Sequence, residues 1–488
     1  MSKKISIIGS GFSSLSAACY LAKEGFDVTI YEKNTSIGGR ARRLKKDGFS
    51  FDMGPTWYWM PDVFEKFFAD FGKKPKDYYN LIKLSPAYKV IFDTENSVSI
   101  SDDYNKILET FEGIEAGSSK KLSKFMDSAK LNYEIAINNL VYKPGNSITE
   151  LITPQTITKV DQFFSTISKD TKKLFKNKNL RQIVEFPVLF LGAKPSNTPS
   201  FYNFMNHADF GLGTWHPEGG MYKVVEAMHQ LAQELNVKFV TNASVDKILV
   251  ENRTVSGIVI NGEKIKTDVV LSGADYHHSE TLLDESYRNY SEKYWDKKTF
   301  APSSLLFYVG FNKKLENIEH HMLFFDTDFE KHAQEIYDTP RWPKDPLFYA
   351  SFPSVTDKTF APENNEAATF LIPIAPGIED TEEIRETYFK IIIERLEKLT
   401  NQKLTDNIIF KQSYCVKDFI EDYNSYKGNA YGLANTLLQT AFLRPKLKSP
   451  KVKNLFFTGQ LTVPGPGVPP SIISGKIVSE LIVKSQKN

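Results

Sequence analysis

Short apolar runs separated by glycine turns and helical periodicity lay out the chain from its first residues. Lys4-Ile5-Ser6-Ile7-Ile8 is nearly continuous apolar sequence and predicts a buried strand. Gly9-Ser10-Gly11 follows, and then Leu15, Ala17, Ala18, Leu21 and Ala22 recur at helical spacing until Gly25. Residues 26–31 return to strand character and end on Glu32. Near the middle, Gly219-Gly220-Met221 opens a second helix marked by Val224, Val225, Ala227, Met228 and Leu231. Short strands are predicted after it at 237–240, 243–245, 257–260 and 268–275. Towards the C-terminus, 454–459 reads as another buried strand, and the loop from Pro464 to Pro470 leads into a helix from about Ser471 to Val483.

This order of elements predicts an α/β protein with a Rossmann-like, discontinuous dinucleotide-binding domain. Residues 1–75, 215–285 and 425–488 are expected to build that domain. Residues 76–214 and 286–424 are expected to build a mixed α+β substrate domain carrying a membrane-associating helical part. The chemistry sits in the first βαβ unit. Gly9 and Gly11 let a pyrophosphate approach the backbone at a helix N-terminus, and Glu32 stands where a ribose hydroxyl is received. The third glycine of that fingerprint is replaced by Ser14, which is small enough to preserve close helix–strand packing. Gly38-Gly39-Arg40-Ala41-Arg42 and Phe51-Asp52-Met53-Gly54-Pro55 follow where an NAD domain would continue into its next crossover helix. Adjacent glycines beside an arginine suit a second pass of backbone N–H groups against phosphate, which favours FAD.

Composition narrows the remaining possibilities. The 488 residues are 41% apolar and 25% charged, as in ordinary globular chains. Lys+Arg 61 against Asp+Glu 59 leaves a net charge of +2, so no overall field attracts nucleic acid. Cys19 and Cys415 are far apart and form no metal-ligand spacing, so no metal site is expected and a reducing compartment fits best. No apolar run approaches the roughly 18 residues of a membrane span, and none near the N-terminus has the length of a signal core. A cytoplasmic protein, peripheral on the inner face of the membrane, is the expectation.

The motifs taken in order resemble the bacterial phytoene desaturases, FAD-dependent enzymes that dehydrogenate carotenoids. The resemblance rests on Gly9-x-Gly11 with Glu32, Gly38-Gly39-Arg40-Ala41, Asp52-x-Gly54-Pro55, residues 217–221 and the loop from Pro464 to Pro470. It extends through Ser303–Tyr308, His320-His321-Met322-Leu323-Phe324-Phe325, Ala361-Pro362-Glu363, residues 373–377 and Tyr431-Gly432-Leu433, so it spans nearly the whole chain. The chain departs from the family at Val463, where histidine is common, and at Pro470, where glycine is common. Both departures lie beside the expected flavin ring and bear on the substrate rather than the cofactor. The resemblance implies FAD held by Gly9, Gly11, Phe12, Ser13, Glu32, Lys33, Gly39, Arg40, Gly54, Pro55, Thr56, Val245, Gly459, Pro466, Gly467, Val468 and Pro469. It implies stepwise conversion of phytoene toward lycopene. The alternatives are a desaturase of a later carotenoid, such as a hydroxylated one at its 3,4 bond, and a non-redox flavin isomerase. A flavin-free escort protein of the same fold would have no use for Glu32 with Gly38-Gly39-Arg40.

Dehydrogenation of a CH2–CH2 unit needs a hydride acceptor, which flavin supplies, and an orienting site. No spacing in the chain names a general base. His207, Asp209 and His216 precede the central glycine turn and are the candidates for catalysis, with His320, His321 and Asp275 behind them. A long apolar carotenoid has to pass directly between bilayer and tunnel, because the cost of hydrating it amounts to tens of kcal/mol at about 0.8 per carbon. Residues 159–181 supply a landing surface: seven basic side chains against Asp161 and Asp170, interleaved with Phe163, Phe164, Ile167, Leu174 and Phe175. Residues 183–191 and 57–60 are candidate tunnel linings, with buried core as the simpler reading. Self-association of copies is left open.

Overall fold

Residues 2–436 and 439–487 are described by the computed structural model. Their first sheet is parallel throughout, with strands in the order Leu455–Phe457, Val269–Ser272, Lys4–Ile8, Asp27–Tyr31 and Lys238–Val240. Ile5, Ile7, Val28, Ile30, Val269 and Leu271 are all buried, which explains why these strands read as continuous apolar runs rather than alternating ones. Three helices cover one face. Phe12–Lys23 lies between Tyr222–Glu234 and the C-terminal helix Val468–Lys487. At the closest crossing Ser16 Oγ donates to the Ile472 carbonyl at 2.7 Å, and Gly475 lies directly against the backbone of Ser13 and Ala17.

A second, mixed sheet runs Ile408–Tyr414, Ser303–Phe311, Glu366–Ile374, Phe348–Ser351, His321–Phe324, Tyr88–Ile91 and Ser97–Ile100. Its neighbours pair antiparallel except His321–Phe324 with Tyr88–Ile91. The strand period of two divides its faces. Leu305, Phe307 and Val309 pack with Phe389, Ile392 and Leu396 of the helix Glu382–Thr400. Ser304 and Leu306 face the large cavity on the other side. The strands of the first sheet come from segments 1–75, 215–285 and 425–488, and those of the second from 76–214 and 286–424.

Several elements differ from the sequence pattern. The first helix starts at Phe12 and the last at Val468, each three residues before the expected start, because serines and prolines are accommodated in a first helical turn. The strands expected around 243–245 and 257–260 are parts of one three-stranded sheet, Val245–Glu251, Thr254–Ile260 and Glu263–Lys266. Phe49 and Phe51, within the segment assigned to the dinucleotide domain, pack with Leu306, Tyr308 and Ala367 of the second sheet. That strand, Phe49–Asp52, pairs with Arg43–Lys46 and packs its phenylalanines on the second sheet. Residues 159–181 fold as short helices with Ile167 and Phe175 buried, leaving Phe164 the outstanding exposed aromatic at 80%. Four more exposed apolar side chains lie shortly before it in the chain, at Ile148, Ile152, Ile157 and Val160. No helix among the described residues is long and apolar enough to cross a membrane.

Candidate flavin and substrate site

Glu32 is positioned by the sheet edge. Its N–H donates to the Val240 carbonyl at 2.9 Å and its carbonyl accepts from Ala243 N–H at 2.9 Å. The buried carboxylate accepts from Ser10 N–H (3.0 Å) and Ser10 Oγ (2.6 Å) through Oε2, and from Asn34 N–H (2.9 Å) through Oε1. Oε1, with a single donor, keeps lone-pair capacity for a ribose hydroxyl. The two glycine motifs meet here. A Cβ on Gly39, whose φ is +55°, would stand 3.3 Å from the Gly11 Cα, and Gly38 N–H donates to the Ser10 carbonyl at 3.1 Å.

These residues fit a dinucleotide. A Cβ built on Gly11 meets no protein atom within 4 Å, so the side chain that glycine lacks would project into the cavity. Arg40 is held behind it by Ser425 Oγ (3.0 Å) and the Asn429 carbonyl (3.2 Å), while its buried Nε has no partner among the described residues. Burial pushes the Arg40 pKa down, and Asp275 opposes that shift. A diphosphate is the ligand such a guanidinium is made to receive. At the other end of the cavity the helix Val468–Lys487 presents Val468, Pro469, Pro470 and Ser471, bringing its positive end to the lining. Gly467 has a φ of +112°, which favours glycine, and its Cβ would face Pro470 Cδ at 3.2 Å. Gly54 is required because a Cβ there would overlap the Arg40 carbonyl. Asp52, two residues earlier, accepts from Met221 N–H (2.8 Å) and Tyr222 N–H (3.1 Å) at the start of the helix Tyr222–Glu234, with burial raising its pKa to about 6. That contact ties the third motif to the central glycine turn.

All of the residues named above as cofactor contacts line a single cavity of about 610 Å³. The cavity continues past Thr56 into an aromatic tunnel walled by Trp57, Trp59, Phe186, Phe190, Phe325 and Tyr349. Trp57 lies at its centre, with ring centroids 5.2 Å from Trp59, 5.5 Å from Phe186 and 5.7 Å from both Phe190 and Tyr349. Segments 57–60 and 183–191 are thus divided between lining and core: Tyr58 turns away to stack on Phe64, and Ile183, Val184 and Val188 are buried. Val463 lines the tunnel beside Gly145, where a Cβ on that glycine would meet Val463 Cγ1 at 2.9 Å.

The catalytic candidates lie elsewhere. His207, Asp209 and His216 are all absent from the cavity lining. His207 is half-buried with its ring edge against Tyr133. Asp209 is buried and accepts from the Tyr88 hydroxyl at 2.7 Å, and desolvation raises its pKa to about 8. His216 Nε2 lies 3.0 Å from Asp357 Oδ2, which also accepts from Gly219 N–H at 2.6 Å and so holds the central glycine turn. Asp275 lines the cofactor end, accepting from His277 N–H at 3.0 Å to cap a short helix. What sequence reasoning missed is a polar contact in the tunnel wall, Thr56 with Tyr349 at 2.8 Å and Tyr349 with His321 Nδ1 at 2.7 Å. The only signal for it was the His320-His321 pair.

A dinucleotide fold whose cavity runs on into an apolar tunnel defines a flavin-dependent oxidoreductase. The chain belongs to the flavin-containing amine oxidoreductase family, whose model matches residues 12–483, and its cofactor is FAD. A carotenoid 3,4-desaturase of Haloarcula japonica is 40% identical over 484 residues, covering 98% of each chain. A zeta-carotene-forming phytoene desaturase of Myxococcus xanthus is 30% identical over 492 residues, 99% of this chain and 94% of the relative. Among solved structures, an oxidoreductase from Methanosarcina mazei superimposes with a TM-score of 0.67 at 18% identity, covering 98% of this chain and 100% of the other, which establishes the shared fold.

Proposed function

We propose that this chain is a FAD-dependent carotenoid desaturase. The observation that carries the reading is likeness from end to end: the match to a carotenoid 3,4-desaturase takes in the substrate half as well as the dinucleotide half. The tunnel supports it, because Trp57, Trp59, Phe186 and Phe190 offer aromatic faces to a polyene and few polar groups that would need hydration. When bound, FAD supplies the hydride acceptor for a C–H bond held at the tunnel's inner end. The protein's part is to hold the chain straight between those rings, to exclude water and to accept the proton.

The first substrate reading is phytoene, dehydrogenated stepwise toward lycopene. The second, a later carotenoid acted on at its 3,4 bond, is favoured by the 40% identity to a 3,4-desaturase against 30% to a phytoene desaturase. Expression in one host that accumulates phytoene and another that accumulates a hydroxylated carotenoid separates the two. Products lighter by pairs of hydrogens in the first host select phytoene, in the second the 3,4 reading. Pigments of unchanged mass in both hosts would refute desaturation.

The substrate is proposed to enter from a lipid bilayer on which the protein lies as a peripheral protein. Exposed Ile148, Ile152, Ile157, Val160 and Phe164 stand beside Leu151 and Phe163 of the cavity lining. Lys143, Lys169, Lys172, Lys173, Lys176 and Lys178, from the same stretch of chain, are exposed as well. Apolar side chains rimmed by lysines suit an anionic membrane surface. In this placement the tunnel mouth faces the acyl chains.

A further inference from the structure

One polar side-chain relay leads from Thr56, at the cofactor end, into the tunnel wall. Thr56 and Tyr349 line the cavity, their hydroxyls 2.8 Å apart. The Tyr349 hydroxyl lies 2.7 Å from Nδ1 of His321, which is wholly buried behind the lining. The His321 ring stacks on Trp57 at 4.1 Å and 11°, and its buried Nε2 has no partner among the described residues. His320 is 4.5 Å from His321 between ring centroids, and His216 is 4.6 Å from His320.

The carboxylates and the nearest other imidazole on the tunnel side of the cavity have partners of their own. Glu150 holds the N–H groups of Gly145 and Asn146, and Asp422 pairs with Arg42 and the Tyr414 hydroxyl. Glu32 and Asp275 are occupied at the cofactor end, as described. His332 uses both ring nitrogens, one with the Pro373 carbonyl at 2.8 Å and one with Leu347 N–H at 3.0 Å. Among the described residues, Tyr349 is the cavity-lining hydroxyl with an imidazole nitrogen within hydrogen-bond distance.

We propose that Tyr349 is the proton acceptor of the desaturation and that His321 is the positioning residue to which it passes its own proton, an inference that rests on the desaturase reading. Once hydride has left one carbon, the C–H bond of its neighbour breaks and that electron pair becomes the second bond of the new C=C. The proton goes to Tyr349 Oη as the Tyr349 hydroxyl proton moves to His321 Nδ1. The carbon skeleton loses one hydride and one proton, and the protein gains the proton. An allylic cation is so strong an acid that a weak base suffices, and a neutral base does not oppose the positive charge developing beside it. Burial, reinforced by His216, keeps the His321 imidazole neutral by pushing its pKa well down. The Trp57 face then stabilises the imidazolium while it lasts.

The test uses the full chain loaded with FAD and the carotenoid that the parent converts, presented in liposomes. Tyr349→Phe is expected to keep its flavin and its KM while kcat falls by about a hundredfold or more. Deuterium on the carbon that loses the proton should give Tyr349→Phe a larger primary isotope effect than the parent, because proton loss has become limiting. His321→Asn, which retains an acceptor for the Tyr349 hydroxyl but no basic nitrogen, should shift the isotope effect the same way. A Tyr349→Phe protein working at the parent rate, or slowed with the isotope effect unchanged in both variants, would overturn the assignment. A parent that converts no carotenoid would overturn the desaturase reading, and this one with it.

Discussion

Glu32→Gln separates what the carboxylate does for the fold from what it does for the cofactor. At 5% exposure the carboxylate receives two backbone N–H groups, from Ser10 and Asn34, and one hydroxyl. Glutamine has one acceptor oxygen, so whichever way its amide is turned, one of those buried N–H groups meets an NH2 instead. Charge-assisted hydrogen bonds are worth about 1.5–3 kcal/mol each, so the flavin-free protein should lose roughly that much stability. A ribose hydroxyl donating to the same carboxylate loses a contact of the same kind, weakening FAD binding by roughly ten- to a hundredfold. The alanine variant would remove all three internal partners at once and mix the two effects. Urea unfolding of the flavin-free protein measures the first loss, and titration with FAD measures the second. An unchanged FAD dissociation constant in a variant that has lost stability would mean that Glu32 serves the loop alone and the ribose lies elsewhere.

Gly475→Val should force the last helix off the first, since a Cβ there would lie 2.7 Å from Ser16 Cβ and 2.8 Å from Ala17 N. About 1–3 kcal/mol of stability should go, with weaker flavin retention, because the start of that helix lines the cavity; a variant with parental Tm and flavin content would contradict this packing. Asp209 has a folded-state pKa of about 8 against 3.8 unfolded, so the native state binds the extra proton between those values. Its contribution is complete below about pH 4 and is lost as pH rises to 8. Asp209→Asn should therefore gain in Tm over the parent between pH 5 and pH 8, and a difference independent of pH would refute the buried neutral carboxyl. Ile157→Asp with Phe164→Asp should weaken cosedimentation with anionic liposomes by about tenfold or more while leaving FAD content alone. Undiminished binding would move the membrane contact to another face.

The dinucleotide end was legible because its information is local. Gly9, Gly11 and Glu32 lie within one βαβ unit, and buried parallel strands announce themselves as unbroken apolar runs. Contacts between distant segments were not legible. His216 and Asp357 are separated by 141 positions, and Thr56, His321 and Tyr349 come from a loop and two strands that only the second sheet brings together. Periodicity likewise failed to orient residues 159–181, where Ile167 and Phe175 satisfy an amphipathic pattern by facing inward. The glycines were noticed for their motif, yet Gly54 and Gly467 are fixed by the Arg40 carbonyl and by a positive φ, neither of which has a one-dimensional signature.

Anaerobic mixing of the FAD-loaded protein with a carotenoid in liposomes tests the central claim most directly. Flavin absorbance and product mass are followed in the same turnover. A desaturase must bleach its flavin in step with a product lighter by two hydrogens, because with no external acceptor the hydride has nowhere else to go. Flavin that stays oxidised while every carotenoid offered, phytoene and hydroxylated alike, keeps its mass would contradict the account.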